Sequence, residues 1–130
     1  MPIPYTSPNN ILWNKSKDFA VKIIRLSQYL QNNHHEFVLS HQILKSGTSI
    51  DANIRESKNA QSISDFIHKL EIALKESDET EYWLDLLFET DYISAEQYQN
   101  LLSKNKELTA ILVSIIKTMK AKKENNNNNN

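Results

Sequence analysis

The sequence predicts an all-α protein folded as an up-down-up-down antiparallel four-helix bundle. Three observations lead there. The 130 residues contain one glycine and three prolines, and every proline precedes residue 9. A β sandwich or barrel of this length spends many more on its turns. Hydrophobic residues recur at helical spacing in four long segments, and the links between those segments are short enough to make neighbours antiparallel.

The bundle is expected over residues 13–120, between an extended head at 1–12 (Pro2, Pro4, Pro8) and a disordered Asn-rich tail at 121–130. The tail has no apolar content to bury. The first helix runs from about Asn14 to Gln31, with Phe19, Ile23, Leu26 and Leu30 on one stripe at 100° per residue. Asn32-Asn33-His34-His35 breaks it. The second runs from about Glu36 to Lys58 on Leu39, Ile43, Ile50 and Ile54. Gly47 interrupts it, giving either one bent helix, which the unbroken phase of the stripe favours, or two short ones. The third spans about Ile63 to Thr90 on Phe66, Leu70, Ala73, Ser77, Leu84 and Phe88, opened by Ser62 and Asp65 as a capping pair. The fourth spans about Ala95 to Ala121 on Tyr98, Leu101, Leu108, Leu112, Ile115 and Met119, opened by a Ser94/Gln97 capping box. Lys117, Lys120, Lys122 and Lys123 suit its C-terminal dipole.

Composition narrows the function. The chain has no cysteine, which removes disulfides, zinc knuckles, iron–sulfur clusters and thiol catalysis. The first ten residues lack the basic and apolar regions of a signal peptide, and no apolar run approaches the roughly 20 residues of a membrane span. A cytoplasmic location is expected. The formal charge of −1 is unevenly spread. Residues 65–96 carry two basic and ten acidic groups, whereas residues 97–130 carry six basic and two acidic. Such bands either steer a charged partner or pair with one another inside the bundle.

No catalytic constellation emerges. A di-iron bundle needs Glu-x-x-His pairs, and the nearest pattern is a single Asp65-Phe66-Ile67-His68. The spacing of Arg to His used by several helical ribonucleases is absent after both Arg25 and Arg55. Ser46-Gly47-Thr48-Ser49 lacks the further glycines and the lysine of a phosphate loop. Glu71, Glu76, Asp78, Glu79, Glu81 and Asp85 spread around their helix instead of converging. The expectation is therefore a non-enzymatic protein without metal or cofactor. The alternative is a small metal-dependent hydrolase or ribonuclease using His34, His35, His41 and Glu36 near one link.

Two surface sets remain. Lys15, Lys22, Arg25, Lys45, Arg55 and Lys58 are the candidate contacts for nucleic acid or another partner, with no aromatic expected to interleave with them as a stacking platform. Trp13, Ile24, Ile72, Trp83 and Leu86 lie off the main stripes. They are the candidate interface of a homo-oligomer, because a bundle helix needs only one face buried.

The stretches FVLSHQILKSGTSIDANIRE (37–56) and DFIHKLEIALKESDETEYWLDLL (65–87) together resemble the four helix bundle protein family, also called the 23S rRNA-intervening sequence protein family. The resemblance covers about residues 13–120. It implies an up-down bundle assembled as a ring, typically a homopentamer. It also implies a relation to the accessory protein of diversity-generating retroelements, a basic pentamer that binds reverse transcriptase and nucleic acid. RNA, or a nucleic-acid-processing protein such as a reverse transcriptase, is the partner so implied. The acidic third helix and a pI near 6.4 depart from that basic type.

Overall fold

The computed structural model describes residues 11–128. They form four helices, α1 (Ile11–His34), α2 (Val38–Ser57), α3 (Ile63–Glu89) and α4 (Ala95–Asn128), and no strand occurs among the described residues. Each helix packs on the next, and α4 closes back on α1. The result is the four-helix bundle that the periodicity implies. Phe19, Ile23, Leu30, Ile43, Ile50, Phe66, Leu70, Leu84, Leu108, Leu112 and Met119 fill its core.

Local chemistry sets the helix ends. The Ser62 hydroxyl accepts the Asp65 N–H at 3.0 Å, and the Asp65 carboxylate accepts the Gln61 N–H at 3.3 Å. At α4 the Ser94/Gln97 box is reciprocal, with bonds of 3.1 and 2.8 Å. The end of α3 is a Schellman turn. Asp91, at φ 66°, donates its N–H to Phe88 O, and Tyr92 donates to Leu87 O. Phe37 provides no side-chain cap for α2. Instead Glu36 Oε1 accepts the Ser40 N–H at 2.8 Å.

A glycine and several small polar residues join neighbouring helices. Gly47 lies mid-helix, and α2 continues unbroken across it. A Cβ there would sit 2.6 Å from Ile23 Cγ2, so the position serves close approach of α1 and α2. Ser16 donates to Asp51 at 2.8 Å, and Ser27 to Ser40 O at 3.2 Å, tying the same pair. Thr80 donates to Ser46 at 3.0 Å across α2 and α3. Between α3 and α4, Ser77 Oγ donates to Asn105 Oδ1 at 2.9 Å, and Asn105 Nδ2 returns a bond to Ser77 O. No buried side-chain polar atom among the described residues lacks a partner.

Two boundaries differ from the sequence expectation. Of the expected extended head, residues 1–10 lie outside the described residues, while Ile11 and Leu12 are helical and Leu12 is 2% exposed. The sequence implies a disordered tail from residue 121, whereas α4 continues through 121–128 with residues 121–127 exposed. Once a helix is nucleated each further residue adds one hydrogen bond, and Lys122, Lys123 and Glu124 are good helix formers. Residues 129–130 lie outside the described residues.

Part of each charge band pairs within the bundle. Lys106 reaches Glu81 and Lys120 reaches Glu71, both at 3.2 Å, across α3 and α4. Lys69 reaches Glu56 at 3.3 Å across α3 and α2. These exposed pairs contribute little stability.

Candidate functional site

Five of the six candidate basic residues divide between two sides of α1. Lys15 pairs with Glu107 of α4, which holds that carboxyl below the usual carboxylate range. Lys22 and Arg25 stand on the α1 rim of a groove between α1 and α4. Its volume is about 660 Å³, Tyr29, Gln97 and Asn100 also line it, and Leu26 and Leu101 give it an apolar element. Glu96 is the acidic residue of its lining. Lys45 stands apart from both groups on the exposed face of α2 and close enough to Glu76 to act on its charge.

Arg55 and Lys58 meet on the other side. The Arg55 guanidinium carbon lies 4.4 Å from the centre of the Trp13 ring, and Lys58 Nζ lies 5.2 Å from it. Asp51 orients Arg55 at 3.4 Å, and Ser16 in turn holds Asp51. The sequence shows no aromatic between these cations. The fold supplies one from α1, 42 positions before Arg55, because α1 and α2 run antiparallel. Helical phase was the available signal: Trp13 is on the flank of α1 that Ser16 and Ala20 turn towards α2.

The apolar candidates fare differently from one another. Trp13 is half-buried beneath its two cations, whereas Ile24 is 39% exposed. Ile72, Trp83 and Leu86 are half-buried on α3, and Tyr82 stands edge-on to Trp83 with centroids 5.0 Å apart. Val38 at 71% and Tyr82 at 55% exposed are large apolar surfaces that the sequence reading did not single out. On the same helix the Glu76 carboxyl is pushed above its ordinary range by burial and by Glu79, against the pull of Lys75 and Lys45.

The histidines do not converge. His34 Nε2 lies 3.1 Å from the Tyr29 hydroxyl, and its ring meets Tyr29 and Tyr92 edge-on at 5.2 and 5.6 Å. His35 takes a positive φ of 50°, and His41 is exposed. Glu36 is engaged with Ser40. Among the described residues no three His, Asp or Glu side chains gather as metal ligands, so the observation behind the hydrolase alternative is not reproduced in space. No described helix is long and apolar enough to cross a membrane.

Residues 8–114 match the 23S rRNA-intervening sequence proteins. The chain belongs to that family. A crystal structure of a protein of unknown function from the S23 ribosomal protein family of Bacteroides thetaiotaomicron is 55% identical, with a TM-score of 0.82. That match covers 82% of this chain and 99% of the other. No curated protein matches the sequence. In this 23S rRNA-intervening sequence protein the family match takes in Trp13, Arg55 and Lys58 and both walls of the groove. Lys117, Lys120, Lys122 and Lys123 of α4 fall beyond it.

Proposed function

We propose that this protein is a non-catalytic, self-assembling scaffold of the cytoplasm, in which bundles close into a homopentameric ring and present basic surface to RNA. The observation that carries the reading is the apolar surface left over once the core is complete. Val38, Tyr82, Phe37, Ile11, Val21 and Ile24 remain exposed on a bundle whose interior has no unsatisfied polar side chain among the described residues. Large apolar residues on several outer flanks are what association between copies covers. The count of five comes from the family resemblance. RNA as the partner is supported by the family's description and by Arg55 and Lys58 arrayed on Trp13.

Light scattering at micromolar concentration tests the assembly. The expected mass is five times 15.1 kDa, and a single-chain mass overturns the reading. Titration with structured RNA tests the partner. The expected affinity falls linearly on a log–log plot against salt, and no binding at low salt removes RNA. Retention of a reverse transcriptase or another nucleic-acid-processing protein in place of RNA would move the partner to that class.

A further inference from the structure

We infer that the Trp13–Arg55–Lys58 cluster takes an unpaired RNA nucleotide, its base stacked on the outer plane of the Arg55 guanidinium and its neighbouring phosphates met by Lys17 and Lys58. The inference rests on the RNA reading and adds the form of RNA that this cluster takes. Arg55 is positioned before any ligand arrives. Its guanidinium carbon lies 4.4 Å from the centre of the Trp13 ring, and its Nε donates to Asp51 at 3.4 Å. Asp51 is itself fixed by the Ser16 hydroxyl at 2.8 Å, and Ser16 is buried. An arginine is normally rich in rotamers. Here a ring beneath and a carboxylate at one edge have already narrowed them, so less entropy is lost when a second flat group stacks on it. The Arg55 side chain is nonetheless 40% exposed. The bond to Asp51 is made through Nε, which leaves the Nη nitrogens as donors.

The surroundings suit a phosphodiester chain. The Ser16–Asp51 and Ser27–Ser40 bonds belong to one antiparallel register of α1 and α2. In that register Lys58 stands about one helical turn from Trp13 towards the start of α1, and Lys17 about one turn from it the other way. Both lysines are exposed, and they bracket the Arg55 plane as successive phosphates bracket a base. The nearby acids do not cancel them. Asp51 is committed to Arg55 and Ser16. Glu56 pairs with Lys69 of α3 at 3.3 Å, and Asp18 falls about 140° from Trp13 by helical phase. An unpaired base offers a free face to the guanidinium plane. A base inside a duplex has both faces covered by its neighbours, so a duplex reaches the lysines only through its phosphates. Stacking on aromatic rings and arginine planes is how single strands are held.

Anisotropy titrations of the full chain at low salt test this with a short labelled RNA strand free of internal pairing, and with the same strand annealed to its complement. Arg55→Lys keeps the charge and removes the plane. It is expected to weaken the single strand about tenfold, with the slope of log affinity against log salt unchanged, and to leave the duplex unaffected. Lys17→Gln with Lys58→Gln is expected to flatten that slope for the single strand by about 1.4. Trp13→Leu, which withdraws the support beneath the plane, is expected to match Arg55→Lys. If it fails to fold by circular dichroism, Arg55→Lys decides alone. Undiminished single-strand affinity in Arg55→Lys overturns the inference and makes the cluster a clamp between α1 and α2, with the RNA reading intact. Equal losses for strand and duplex overturn it too. So does a fall in light-scattering mass with Arg55→Lys, which means that another copy covers this surface. No binding of either RNA at low salt overturns both readings.

Discussion

Three residues carry more than their composition suggests. Gly47 has little room for even one methyl, since a Cβ would lie 2.6 and 2.8 Å from two carbons of the fully buried Ile23. Alanine gains about 1 kcal/mol of helix propensity there, but overpacking a tight core costs roughly 1–3 kcal/mol. Gly47→Ala is expected to lower stability in urea unfolding, and combination with Ile23→Ala is expected to cost less than the sum of the two. Asp91 is the reverse case. It occupies the left-handed position that closes α3, at φ 66°, where a side chain costs about 1–2 kcal/mol, and its negative charge opposes the helix dipole. Asp91→Gly is expected to raise the melting temperature. Tyr98 tests pH. Its hydroxyl donates to Asp85 at 2.6 Å, and that bond pushes the phenol up to about 12 from its ordinary 10. A group whose pKa is raised on folding adds stability below its unfolded pKa and loses it as the pH climbs to the folded one. The contribution should be complete below pH 10 and vanish by about 12. Tyr98→Phe is expected to cost about 1 kcal/mol at neutral pH. The difference between the two proteins should shrink across that alkaline window in chemical unfolding.

Elements were the most legible level because their causes are local. Hydrophobic period placed all four helices, and the two capping pairs fixed the starts of α3 and α4 to the residue. The start of α2 was less legible, since Phe37 gives no capping signal and the function passes to Glu36 and Ser40. Pairing between elements was legible only as bulk charge. The acidic third quarter of the chain and the basic last quarter meet across α3 and α4, but which lysine takes which glutamate depends on register. Register here is set by a buried polar lock, Ser77 with Asn105 and Thr109. Asn105 makes two bonds to Ser77, each worth about 0.5–1.5 kcal/mol net, and truncating it also leaves a cavity, while Thr109 still pairs with the Ser77 hydroxyl. Asn105→Ala is therefore expected to destabilise by about 2–3 kcal/mol in denaturant unfolding. The exposed Lys106→Ala, which breaks only a surface pair, is expected to cost less than about 1 kcal/mol. The candidate site was less legible than the elements, because Trp13 joins Arg55 and Lys58 only through α1–α2 packing.

At the scale of the whole molecule the near-zero net charge conceals an axial separation. One half of the bundle comprises residues 11–22, 47–78 and 108–128 and holds eleven basic against eight acidic groups. The other half, 23–46 and 79–107, holds four basic against eight acidic. Linear sequence hides this, because antiparallel packing brings the start of α1, the end of α2 and the end of α4 to one end. In a ring whose copies point the same way, every basic end lies on one rim, and a polyanion meets a continuous positive band while the opposite rim repels it. The proposed RNA partner should then contact Lys58, Lys117, Lys122 and Lys123, which share that end. Each lysine that neutralises a phosphate steepens the log affinity against log salt slope by somewhat less than one. Replacing all four by glutamine is expected to flatten the slope measured by fluorescence anisotropy by about 3 per bound chain. Lys104→Gln, in the acidic half, is expected to leave it unchanged. An unchanged slope for the fourfold variant would place RNA elsewhere on the bundle, and the charge separation would then serve only the packing of the helices.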